Sequence, residues 1–212
     1  MAENKKIRIT CMGDSITNGA GVPAEERDKF SYPAQLQKLL GDGYEVINCG
    51  RGAAYSVGPD SKYKHPKPTA PSYSITQKYR DALVSEPDIV IFMLGANDSR
   101  TVNIGDPESI TELYEALKGY CEKMLALPTH PKIYLASTTY RYDEDTPKTN
   151  VEEAIVPTQR RLAKDMGWDY IEMFEPTKAA ALAGKEIYTD KLHFNKDGYT
   201  LIANEIYKGL KL

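Results

Sequence analysis

At 212 residues and a formal net charge of -3, the chain can bury a substantial core, and it lacks the basic surplus of nucleic-acid or membrane-surface binders. Its 41% hydrophobic and 27% charged residues are usual for a globular protein. The longest apolar run, Ile89 to Leu94, is far shorter than the roughly 18 residues of a membrane span. In chain order, apolar runs predict strands at 7–12, 44–49, 88–94, 132–137 and 170–174. Most are unbroken rather than alternating, as strands covered on both faces are. Helical periodicity places helices near 32–41, 73–85, 107–127, 150–166, 177–183 and 196–210, with Asp106 and Pro107 opening the third and Gly167 closing the fourth. This alternation predicts a single α/β domain over residues 1–212, built on a parallel sheet with helices on both sides.

The polar start "MAENKK" has no apolar signal region and reads as cytoplasmic, or as exported had a leader been removed. Cys11, Cys49 and Cys121 show no metal-like or CxxC spacing, and they read as small buried hydrophobes. No His, Cys, Asp or Glu set is spaced for a metal, so neither metal nor cofactor is expected. Two connections, 50–72 and 138–149, are longer than a crossover needs. Both start where a strand ends, the edge at which open parallel sheets place ligands.

Four small clusters occupy such edges: Gly13-Asp14-Ser15 after the first strand, "NCGRGAAY" (48–55) after the second, Gly95-Ala96-Asn97-Asp98 after the third, and Asp190-Lys191-Leu192-His193 before the last helix. Taken singly, Ser15 reads as a helix cap or turn residue, Asn97 as a turn residue, Asp190 as a cap or solvated acid, and His193 as a loop closer. Taken together they suit acyl transfer. A serine hydroxyl needs a base such as histidine, the imidazole needs an acceptor to hold its tautomer, and the oxyanion needs preorganised donors. The "G-x-S-x-G" elbow is absent, because Thr17 stands at its last glycine, and no phosphate loop is formed.

This order of blocks resembles the SGNH hydrolases, also called the GDSL esterase/lipase family, over nearly the whole chain. The resemblance implies a flavodoxin-like, three-layer α/β/α sandwich with a five-stranded parallel sheet. It further implies Ser15 as nucleophile, His193 as base then acid, and Asp190 as the group orienting it. The oxyanion donors would be the N–H of Ser15, the N–H of Gly52 and the Asn97 amide, while Asp14 and Asp98 would hold the loops. Two departures stand out. The second block usually runs Asn-x-Gly-x-x-Gly, so an ungapped alignment makes Ala53 the donor and a one-residue shift makes it Gly52. The histidine is followed by Phe194 where the family commonly has proline.

The wording is most similar to bacterial sialate O-acetylesterase-like and carbohydrate acetylesterases. That implies hydrolysis of short acyl esters, acetyl first, on a small-molecule or glycan substrate. A lysophospholipase or acyl-thioesterase on the same machinery is the alternative, and a silent sugar-binding domain a third. Fifteen tyrosines against one tryptophan suit a wet sugar cleft or a half-buried core. Tyr55, Tyr63, Tyr73, Tyr140 and Tyr142 are candidates for an aromatic wall, with Tyr55 and Tyr140 the substrate-binding choices. Lys62, Lys64 and Lys67 read either as a solvated loop or as contacts for an anionic glycan. Composition points to no oligomeric state.

Overall fold

The computed structural model describes residues 5–143 and 150–212. Residues 1–4 of the polar start and 144–149 of the second long connection lie outside the described residues. Five strands, β1 (Ile7–Gly13), β2 (Tyr44–Gly50), β3 (Ile89–Met93), β4 (Lys132–Ala136) and β5 (Asp169–Ile171), form one parallel sheet in the order β2-β1-β3-β4-β5. Eight α-helices accompany them among the described residues: α1 (Ser15–Asn18), α2 (Arg27–Phe30), α3 (Tyr32–Leu40), α4 (Gln77–Leu83), α5 (Pro107–Leu125), α6 (Val156–Met166), α7 (Phe174–Leu182) and α8 (Lys196–Gly209).

Alternate strand residues feed two separate cores, which is why the strand runs are apolar throughout. Ile9 and Cys11 of β1, with Ile91 and Met93 of β3, pack against Tyr32 and Leu36 of α3 and Ile202 and Ile206 of α8. Met12, Val90 and Phe92 face the other way, onto Tyr79 of α4, Leu113 and Leu117 of α5 and Leu162 of α6. The result is the expected three-layer α/β/α sandwich. All three cysteines are buried and unpaired.

Gly13 of β1 is in register with Gly50 of β2 and with Met93 of β3. The loops after these strands therefore leave the sheet at one height. The chain turns from β1 to β2 on one side and crosses to β3 on the other, so this edge is the topological switch point.

Four expected elements differ by three or more residues at an end, the others by one or two. The helix expected over 73–85 is a 3-10 turn, Tyr73–Ile75, followed by α4, because Thr76 caps α4 by accepting the Tyr79 N–H at 3.2 Å. The one expected over 150–166 opens as a π-helical stretch, Asn150–Ile155; Pro157 supplies no N–H to the preceding turn, which widens. The fifth strand stops at Ile171. Ser137 Oγ accepts the N–H groups of Met173 (2.8 Å) and Phe174 (3.0 Å) and turns the chain into α7. That helix starts at Phe174 rather than 177, since Pro176 is tolerated in a first turn. The short helices α1 and α2, and the 3-10 turns Ala24–Glu26 and Asp98–Arg100, lie below the length at which periodicity is readable.

Candidate active site

The nucleophile candidate follows directly from how β1 ends. Asp14 is the N-cap of α1, its carboxylate accepting the Ile16 N–H at 2.9 Å, and Ser15 is the first helical residue at 8% exposure. Cap and hydroxyl are thus consecutive residues of one turn. The Ser15 N–H, an orphan of the helix start, has no partner among the described residues. Burial pushes the Asp14 carboxyl up to about 6, against the Ile16 bond that favours its charge.

Two loops support this turn. Asn48 donates its amide to the Thr17 carbonyl (2.9 Å) and accepts the Gly50 N–H (2.9 Å), while Asn18 donates to the Gly50 carbonyl. At Gly50 the contact leaves no room: a Cβ there would stand 2.2 Å from the Asn18 nitrogen. Beyond it, Ala54 N–H donates to the Arg51 carbonyl (3.2 Å) and closes a β-turn whose central residues are Gly52 and Ala53. Among the described residues neither central N–H has a partner. Ala53, not Gly52, holds the left-handed φ of 60°. The alanine therefore occupies a conformation that favours glycine, in keeping with the ungapped alignment.

After β3, Asn97 donates one amide hydrogen to the Ala54 carbonyl at 2.9 Å, and its second hydrogen has no acceptor among the described residues. Asp98 ties the same two loops together. It accepts the Ser56 N–H (2.8 and 3.0 Å) and hydroxyl (2.9 Å) while buried at 1% exposure. Burial pushes it, too, up to about 6, opposed by the Ser56 bonds.

The fourth block arrives 178 residues from Ser15. His193 Nε2 lies 2.9 Å from Ser15 Oγ, and its Nδ1 lies 2.7 Å from Asp190 Oδ2. Asp190 also accepts the backbone N–H of His193 (2.6 Å) and of Leu192 (3.2 Å), with Lys191 at a φ of 65° completing the turn. Desolvation acts to raise the Asp190 carboxyl, but the bonds from His193 and Leu192 outweigh it and hold it below the usual carboxylate range. A charged acceptor at Nδ1 fixes the proton there and turns a lone pair on Nε2 toward the serine hydroxyl. Gly21 makes room for this approach: at a φ of 96°, its missing Cβ would stand 3.0 Å from His193 Cβ. Phe194 is fully buried, its ring 4.5 Å from that of Tyr188.

The expected aromatic wall is not a single surface, and two of its members are corrected. Tyr73 is fully buried and donates its hydroxyl to the Cys49 carbonyl; Tyr63 is buried and donates to Asp106. Both phenols are consumed by packing between loops. Tyr55, buried as well at 4% exposure, contributes to the lining of a cavity of about 760 Å³ with Lys62, Lys64, His65 and Lys67. Tyr140 and Tyr142 line a separate one of about 280 Å³ with Tyr188.

Sequence reasoning missed Arg141. It is 2% exposed, paired through two nitrogens with Asp143, and donates Nη1 to the Ala96 carbonyl at 2.9 Å, next to Asn97. Its sequence signal is an arginine two residues before an aspartate in the long 138–149 connection, and arginines usually face water. Among the described residues no group of three His, Cys, Asp or Glu could hold a metal ion, and no helix is long and apolar enough to cross a membrane.

A serine hydroxyl bonded to an imidazole that a carboxylate holds, at the switch point of a parallel sheet, is the arrangement serine hydrolases use. The model of the GDSL-like lipase/acylhydrolase family matches residues 11–201, and the chain belongs to that family of serine esterases. It is 32% identical, over 97% of its length, to an acetylxylan esterase of Xylanibacter ruminicola; it spans 43% of that curated relative. Solved structures of similar fold include a carbohydrate acetylesterase family member from Sinorhizobium meliloti (TM-score 0.69, 20% identity, covering 97% of this chain and 100% of that one). A mutant acetyl-xylooligosaccharide esterase from Geobacillus Stearmophilus is another (TM-score 0.72, 16% identity, covering 100% and 97%).

Proposed function

We propose that this chain acts as one hydrolase domain that removes acetyl groups from carbohydrate hydroxyls through an acyl-enzyme on Ser15. The observation that carries the reading is the continuous line from Ser15 Oγ to His193 Nε2 (2.9 Å) and from His193 Nδ1 to Asp190 (2.7 Å). Its substrate class is supported by the likeness to an acetylxylan esterase.

In the first half-reaction Ser15 Oγ attacks the acetyl carbonyl carbon while its proton passes to His193 Nε2. The charge that collects on the carbonyl oxygen is met by the Ser15 N–H, by the second amide hydrogen of Asn97 and by a backbone N–H of the 51–54 turn. The left-handed Ala53 supports its own N–H for that role in preference to that of Gly52. Collapse breaks the bond to the sugar oxygen, which leaves as an alcohol with the proton from His193. Water then gives its proton to His193 and attacks the acetyl-serine, releasing acetate and restoring Ser15. Asp14 and Asp98 act on the reaction through the turns they hold, and Tyr140 offers a ring face to sugar, while Tyr55, 4% exposed and stacked on His65, supports the loop beside the site.

Acetate release from acetylated xylo-oligosaccharides, beside p-nitrophenyl acetate, butyrate and octanoate, tests the reading. Activity should fall from acetate to octanoate, and Ser15→Ala should lose about 10⁴-fold or more in kcat. A rate that climbs with chain length points to the lysophospholipase or thioesterase alternative. Full activity in Ser15→Ala sinks the mechanism.

A further inference from the structure

The loop over 50–72 builds a feature that hydrolysis of an acetyl ester does not require. Its cavity of about 760 Å³ is lined by Lys62, Lys64, His65 and Lys67 and by no carboxylate, in a chain whose net charge is negative. Lys62 is already engaged, 2.7 Å from Glu108 and 4.9 Å over the Tyr63 ring. Among the described residues no ion pair or side-chain hydrogen bond holds Lys64 or Lys67. His65 stacks on Tyr55 with ring centroids 6.3 Å apart and planes 21° apart, and its Nδ1 accepts the Lys67 N–H at 3.0 Å. That bond leaves Nε2–H as a donor. Burial first, then the field of Arg100 and other cations, holds the imidazole below its usual range, so the ring is neutral in a positive surrounding.

The cavity lies beside the oxyanion turn along the chain, although neither Ser15, Asn97 nor His193 lines it. Tyr55 lies two residues beyond Ala53, a span of at most about 7 Å. Asn97 and Asp98 clamp the intervening segment through Ala54 and Ser56. Pro59, Pro66, Pro68 and Pro71 in the lining restrict the loop before any ligand arrives, which lowers the cost of ordering it.

We propose that this cavity is a subsite for a carboxylate-bearing sugar, a uronic acid residue on the same glycan that carries the acetyl ester. Lys64 and Lys67 would meet the carboxylate, His65 Nε2–H would donate to it or to a hydroxyl, and the buried Tyr55 ring would hold the His65 ring in place by stacking. The inference rests on the carbohydrate-esterase reading, and it adds a charge preference that reading does not contain.

The test is calorimetric titration of the hydrolysis-deficient Ser15→Ala variant. The probes are a glucuronic-acid-branched xylo-oligosaccharide and the unbranched oligosaccharide of equal length, at about 0.02 M and about 0.5 M salt. At low salt the branched sugar should bind about fivefold tighter, the yield of two exposed ion pairs. That preference should vanish at high salt and on adding Lys64→Glu with Lys67→Glu, and survive Lys208→Glu on the last turn of α8. Equal affinities, no detectable binding, or a preference that outlasts charge reversal overturns the proposal. Acetate release by the intact enzyme is read separately. If the anionic preference holds while acetylated xylo-oligosaccharides go unhydrolysed, the esterase substrate is wrong and the subsite stands. The converse result leaves the esterase and removes the subsite.

Discussion

Asp190 meets His193 twice, at the ring and at the backbone N–H, so one carboxylate sets both the tautomer and the position of the imidazole. Asparagine would keep the size but present an amide N–H to Nδ1, turning the proton to Nε2 and removing the base. We expect Asp190→Asn to lower kcat by about 10³-fold with little change in KM, read from steady-state kinetics on p-nitrophenyl acetate. Asn97 acts on charge that exists only in the transition state. Asn97→Ala should therefore cost roughly 10²- to 10³-fold in kcat and leave KM near its original value. A loss confined to KM would move Asn97 from the oxyanion to the substrate. Arg141 is the counterexample to reading roles from residue type: its charge is buried and anchors the carbonyl of Ala96.

At the scale of elements, the site depends on α1 sitting flush against the end of β2. Gly50→Ala places a Cβ 2.2 Å from the Asn18 nitrogen and 2.6 Å from the Thr17 carbonyl carbon, both backbone atoms of α1. Neither can yield as a side chain would, so the four-residue helix must shift and carry Ser15 away from His193. The expected outcome is a loss of about 2–4 kcal/mol in stability by urea unfolding together with a fall in kcat. A variant that is destabilised but catalytically intact would show that α1 adjusts without moving the hydroxyl. Interiors of helices and strands follow their periodicity closely here. The ends of α4, α6, α7 and β5 depart from it because caps, prolines and the Ser137 hydroxyl decide them.

Across the whole molecule, Asp14 and Asp98 impose a pH dependence. Both titrate near 6 in the fold, whereas a carboxyl of the unfolded chain titrates near about 3.9. Between those values the folded protein keeps protons that the unfolded chain has released. Their contribution is whole below about pH 4 and lost as the pH rises through about 6. Asp190, held low, works in the opposite sense: its stabilisation is present above the unfolded pKa and lost on acidification, and its partial exposure keeps it small. Replacing Asp14 by asparagine retains an acceptor for the Ile16 N–H and removes one titration. Unfolding free energies from urea titrations between pH 4 and 7 should fall less steeply in Asp14→Asn than in the parent, by up to about 3 kcal/mol over the window. Parallel profiles for the two proteins would show that Asp14 titrates alike in both states.

Local patterns determined much of this protein by themselves. Unbroken apolar runs fixed five strands covered on both faces, helical periods fixed the layers around them, and the four blocks announced a family that the comparison then established. These are legible because they depend on neighbours within a few residues. Tertiary structure decided what depends on groups far apart in the chain. It brought His193 to Ser15 across 178 positions, gave Ala53 rather than Gly52 the left-handed turn, and buried Tyr63, Tyr73 and Arg141. It also set Lys64, His65 and Lys67, neighbours in the chain, around one cavity with the distant Ile75 and Thr101. Burial and hydrogen-bond supply are set by what packs across the sheet edge, and no local sequence pattern carries that information.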